Sequence, residues 1–176
     1  MPEYLVALAT IIGIQALLTL GLNLHFGLTG LVNFGHVAFY ALGAYASALL
    51  TLAGMPFLAA MAAGASVAVL AGLLVGFATL RLREDYFAIL TLGFSEVVRL
   101  FLLNAREVTR GALGIPGIPR PMVEAVGRGF PQFYLVVVLV AVVLAFVLCE
   151  VLARSPLGRT LRAIRDDDVA AAALGK

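Results

Sequence analysis

Apolar residues occur in long runs separated by short polar stretches, and the run lengths predict helices. The runs cover residues 4–24, 26–53, 56–80, 85–103 and 132–153. Each is close to or above the roughly 18 to 20 residues that carry a helix across a hydrocarbon core. The expected fold class is an all-α integral membrane protein with about five transmembrane helices. Gln15 sits mid-run, where a lone amide is expected to serve packing by bonding a neighbouring helix, with a part in transport as the alternative. The second run is longer than one crossing needs and opens on Gly27, Gly30, Asn33, Gly35 and His36. Glycine-rich polar backbone at membrane depth is tolerated only against protein or a water-filled cavity, so this helix is expected to bend or break near residues 30–35. Asn33 and His36 are three apart and would share a face if the helix persists there.

Smaller features refine the third and fourth runs. Residues 54–56 read as a tight turn closed by Pro56. Ala60, Gly64, Ala68, Gly72 and Gly76 then recur every four residues, a stripe that lets a neighbouring backbone come close. Glu96 and Arg99, three apart, face each other on one helix surface. Four prolines and five glycines in residues 104–131 exclude a crossing there. This stretch reads as an irregular external loop, part of the outer mouth, with Phe133 and Tyr134 as interfacial anchors after it.

The pattern changes at Ser155. Leu157, Leu161 and Ile164 alternate with Arg159, Arg162 and Arg165 at helical spacing, which predicts a short amphipathic helix with Pro156 in its first turn. Asp166, Asp167 and Asp168 interrupt it, and any of them can cap a second helix that stops at Gly175. Residues 154–176 therefore read as helix, turn, helix lying in water against the membrane region. Glu150 and Arg154, four apart, read as a structural pair.

Composition sharpens the class. Of 176 residues 62% are hydrophobic and only 12% charged, half the roughly 25% of a soluble domain. The N-terminal Met1-Pro2-Glu3-Tyr4 lacks a basic region, so the first run is expected to span and not to be a cleaved leader. A single cysteine, Cys149, and two histidines offer neither a disulfide nor a metal constellation, and no cofactor is implied. No basic cluster suggests nucleic acid. With the last loop cytoplasmic, the inner side holds Arg81, Arg83, Arg154, Arg159, Arg162, Arg165 and Lys176, and the outer side Arg106, Arg110, Arg120 and Arg128. That bias follows the positive-inside rule and puts the N-terminus outside.

Three stretches carry a resemblance. Gly158, Arg159, Leu161, Arg162, Ala163, Ile164 and Arg165, followed by Ala170, Ala171, Leu174 and Gly175, resemble the cytoplasmic loop of branched-chain amino-acid ABC importer permeases of the LivM type. The run from Gly30 through Asn33, Gly35, His36, Ala38, Phe39, Gly43 and Tyr45 resembles the same family, as does the stretch with Asp85, Tyr86, Thr91, Gly93, Phe94, Glu96 and Arg99. Val169 departs from the glutamate that opens the general ABC loop, and Ala112-Leu113 departs from the family's usual outer turn. The resemblance implies a chain covering the N-terminal half, or somewhat more, of a permease in a bacterial plasma (inner) membrane. It implies transport without ATP chemistry, since no phosphate-binding glycine loop occurs and hydrolysis falls to cytoplasmic ATP-binding subunits. A second, LivH-like permease subunit, a periplasmic or extracellular substrate-binding protein and membrane lipid are the other implied partners. The docking element is expected at Gly158, Arg159, Arg162, Arg165, Ala170, Ala171 and Gly175.

Candidate path residues are Asn33, His36 and Glu96. For His36 the alternative is a core histidine joining two helices, and for Glu96 an intramembrane ion pair with Arg99 that only fixes the helix. For residues 155–175 the alternative is a basic helix on anionic lipid. Leucine, isoleucine and valine are the expected cargo; a related permease for urea or short amides and a structural or assembly membrane protein are the alternatives. A membrane enzyme would need a carboxylate pair or a Ser/His/Asp constellation, which the chain lacks.

Overall fold

A computed structural model describes residues 2–79, 84–120 and 123–173, and every regular element among them is helical. The elements are α1 (Pro2–Thr29), α2 (His36–Leu52), α3 (Phe57–Thr79), α4 (Glu84–Asn104), α5 (Arg106–Thr109), α6 (Val123–Val126), α7 (Phe130–Arg154), α8 (Pro156–Asp166) and α9 (Asp168–Ala173). Among the described residues four helices, α1, α3, α4 and α7, are long and apolar enough to cross a membrane. α2, at 17 residues, spans about 26 Å at roughly 1.5 Å per residue, the lower end of the crossing range. The chain is an all-α, multi-pass membrane protein.

Two boundaries differ from the sequence expectation. α1 does not stop at residue 24 but continues to Thr29, because Asn23 and His25 are polar without breaking a helix. The expected helix over 26–53 is two pieces: its first residues finish α1, and residues 30–35 form the break before α2. Gly30 ends α1 in the left-handed region (φ 75°), with its N–H donating to Phe26 O at 2.9 Å. Asn33 and His36 therefore do not share a helix face. The expected irregular loop is also partly helical: it holds α5, α6 and two 3-10 turns, Gly111–Leu113 and Gly127–Gly129. Thr109 anchors its start to α4, its hydroxyl donating to Leu102 O at 2.6 Å and accepting from Gly111 N at 3.1 Å.

The chain divides into two compact units, one of Met1–Leu31 with Met122–Lys176 and one of Val32–Pro121. In the first, α1 packs along α7 and α8 turns back onto both. Gly13 permits the α1–α7 approach: a Cβ there would lie 2.5 Å from Val138 Cγ1. In the second, α2 and α3 pair closely and α4 packs on α2. The α2–α3 contact runs through the small-residue stripe, with Gly43 against Gly64 and Ala68, and Ala60 fully buried. Only the first half of the stripe is used; around Gly72 and Gly76 there is open space.

This division gives a test. A Cβ on Gly64 would sit 2.5 Å from Gly43 O and 2.9 Å from Ser47 Cβ. Gly64→Ala is expected to force α2 from α3 and cost about 1–3 kcal/mol, lowering the thermal midpoint in detergent. Gly72→Ala is expected to leave it unchanged or raise it slightly, since alanine is the better helix former. Equal midpoints for both variants would contradict the backbone contact.

Candidate functional site

The break before α2 is built by local hydrogen bonds and one long-range one. Asn33 Oδ1 accepts from Gly35 N at 2.8 Å, an Asx turn that sets the entry to α2. Phe34 N donates to Thr91 Oγ1 of α4 at 3.2 Å, and that hydroxyl donates to Ala88 O at 3.0 Å. Thr91 is fully buried. Gly35 must be glycine here, because a Cβ would meet Thr91 O at 2.9 Å. Phe39 stacks on Phe94 with ring centroids 5.2 Å apart. Asn33 thus shapes the break, while His36 begins α2 partly exposed.

Glu96 lies on another side of α4. Five residues beyond Thr91, it is turned by roughly 140° at about 100° per residue. Arg99 Nε donates to Glu96 Oε2 at 2.8 Å and Nη2 to Oε1 at 2.6 Å, a two-pronged pair. The two side chains are 52% and 58% exposed on this chain's surface. A charged pair on a membrane-crossing helix must be met by protein or water, not by lipid tails. Asn33 is engaged with Gly35 N in its own turn, and Glu96 with Arg99 on α4.

The third candidate is the end of the first unit. Ser155 caps α8, its hydroxyl accepting from Gly158 N at 3.1 Å, with Pro156 next as expected. Asp167, of the three aspartates, caps α9 by accepting from Ala170 N at 2.9 Å. Asp166 instead holds Arg165 at 2.8 Å. The arginines turn inward more than the sequence reading expected. Arg162 Nη2 donates to Ala153 O at 2.7 Å, near the end of α7, and Arg165 Nη1 to Gly27 O at 2.6 Å, near the end of α1. The last carbonyls of a helix lack partners and carry its negative pole, so cations settle there. Arg159 reaches Arg154 O at 3.4 Å.

Gly158, Arg162 and Arg165 form one face of α8 at i, i+4 and i+7, and they face the spans. Leu157, Leu161 and Ile164 form another at the same spacing, where Leu157 is 57% and Ile164 41% exposed. Beyond it Val169 is 75% exposed and Ala170 exposed, whereas Ala171 is buried. The polar face of α8 is spent on the chain itself and part of its apolar face is left outward. Gly175 lies outside the described residues. Neither the role of Thr91, in α4, nor that of Thr109, in α5, was legible in the sequence, because a threonine gives no sign of what its hydroxyl will reach.

The family of permease components of branched-chain amino acid transport systems matches residues 4–176. The chain belongs to this family. Its relatives include the high-affinity branched-chain amino acid transport system permease protein LivM of Escherichia coli K12 and that of Salmonella typhimurium LT2. Each is 40% identical over 195 residues, covering 97% of this chain and 46% of the relative. The chain thus spans about half the length of the curated relatives it matches. No solved structure matches it.

Proposed function

We propose that the chain forms part of the membrane pathway of an ATP-driven importer for leucine, isoleucine and valine in a bacterial plasma membrane. The observation that carries the reading is α8: in a chain of this permease family, its Arg162 and Arg165 grip the ends of α7 and α1 while part of its apolar side, at Leu157 and Ile164, is left uncovered. Such a helix suits transmission between an ATP-binding subunit on one side and two spans on the other. ATP is hydrolysed on that separate subunit. A LivH-like permease subunit completes the pathway, and a periplasmic or extracellular binding protein delivers the amino acid. The N-terminus lies outside and α8–α9 lie in the cytoplasm. Asn33, His36 and Glu96 border the path, and Arg99 balances Glu96. Gly158, Arg159, Arg162, Arg165, Ala170, Ala171 and Gly175 build the docking end; Gly158, Arg162 and Arg165 serve it from within by seating α8.

Ile164→Glu and Ala170→Glu change exposed positions of this end, whereas Ala171→Glu would disturb the α8–α9 packing itself. In the complete importer both exposed variants are expected to lower recovery of the ATP-binding subunit in a pull-down, and leucine uptake with it, by on the order of ten-fold, the effect of a charge forced into a contact core. Normal recovery and uptake in both would remove the docking assignment. The lipid-surface reading would then stand, with only arginine substitutions mattering. Uptake of urea or a short amide in place of leucine would change the cargo and keep the mechanism.

A further inference from the structure

We infer that the cleft between α2 and α4 holds a small aliphatic zwitterion during passage, with Arg99 receiving its carboxylate. The inference rests on the importer reading and names a station for the cargo within the second unit. The cleft measures about 260 Å3 and is lined by Val37, Ala41, Tyr45, Ser95, Arg99 and Leu102 among others. That is below the roughly 300–1,000 Å3 of sites for drug-sized molecules, so it suits a compact one. Most of the wall is aliphatic; the polar groups are one guanidinium and two hydroxyls. Among the described residues neither the Tyr45 nor the Ser95 hydroxyl of the wall makes a hydrogen bond, so each oxygen can accept from an incoming ammonium.

The ion pair supplies the rest of the chemistry. Arg99 commits Nε and Nη2 to Glu96. A guanidinium has five N–H groups, so the edge carrying Nη1 stays open and can fork a second carboxylate without breaking the pair. Glu96 already cancels the Arg99 charge, so the cleft is neutral before the cargo arrives. A neutral zwitterion keeps it neutral, whereas a cargo with net charge would bring an unbalanced charge into a low-dielectric place. An acyl chain would leave the guanidinium edge and both hydroxyls without partners, which disfavours lipid as the occupant.

The test uses the complete importer reconstituted in liposomes with its ATP-binding, second permease and binding-protein partners. Ala41→Phe fills the cleft and leaves Glu96 and Arg99 themselves unchanged. It is expected to lower leucine uptake by on the order of ten-fold, with stimulated ATP hydrolysis retained; a general loss of fold would lower both. A Ser95→Cys variant, in a Cys149→Ser background, is expected to react with a small methanethiosulfonate reagent, and leucine during turnover is expected to slow that reaction. Unchanged uptake in Ala41→Phe overturns the station. So does a Ser95→Cys thiol that leucine does not protect, or one that never reacts because lipid or another helix covers it. Absence of leucine uptake by the wild-type importer would overturn the importer reading itself and is seen before any variant is made.

Discussion

Gly158→Ala is expected to release α8 from the end of α7. The added Cβ would lie 2.6 Å from Ala153 O and 2.9 Å from the Ala153 carbonyl carbon, and closer still to Leu152 O. These are backbone atoms at the close of a long helix, so they cannot rotate aside as a side chain would. The clash is expected to cost about 1–3 kcal/mol. It also weakens what depends on that seat: the Ser155 cap onto Gly158 N, the Arg162 bond to Ala153 O and the Arg165 bond to Gly27 O. The measurement is limited trypsin digestion of the detergent-purified protein. Cleavage after Arg159, Arg162 and Arg165 should speed up in Gly158→Ala, because a protease cuts the opened state. Gly76→Ala, a helical glycine with open space around it, is the control. Equal digestion rates would show that α8 is held by something other than this contact. On the proposed importer reading the same variant is expected to lower leucine uptake as well.

Neutralising one member of the Glu96–Arg99 pair is expected to reduce the amount of folded protein in the membrane several-fold. Glu96→Gln leaves a guanidinium, and Arg99→Gln a carboxylate, on a crossing helix with no partner at the distance where each now has one. The reversed pair, Glu96→Arg with Arg99→Glu, restores charge balance at the same spacing and is expected to recover most of the folded protein. Size-exclusion of a fluorescent fusion measures the amount. The role of the pair is then read from uptake in the reversed variant. Good folding with poor uptake assigns Glu96 and Arg99 to the path, because a cargo carboxylate would meet glutamate where arginine had been. Good folding with good uptake assigns them to holding the helix alone. Equal folding of all variants would mean that water already solvates both groups.

The positions of the crossings were legible in the sequence because length and hydropathy act on a helix locally. Runs of apolar residues made α1, α3, α4 and α7 readable, and Gly30 to Gly35 marked the break before α2. The caps at Ser155 and among the aspartates were readable for the same reason, since a cap bonds only to its own helix. The i, i+3 spacing put Glu96 beside Arg99 without any tertiary information. What lay beyond one helix was not readable. The α1 end at Thr29, past polar Asn23 and His25, is fixed by Gly30 and by Arg165, which bonds Gly27 O from 138 residues away. That Asn33 closes its own turn while Phe34 N goes to Thr91 depends on α4 lying against the break. The stripe from Ala60 to Gly76 is uniform in sequence, yet only its first half meets α2, because two straight helices touch over a limited length. The arginines of α8 show the divide most clearly. Their spacing determined an amphipathic helix; which face turned inward was decided by the unpartnered carbonyls at the ends of α1 and α7, which come within reach of one short helix only once α1 and α7 stand side by side.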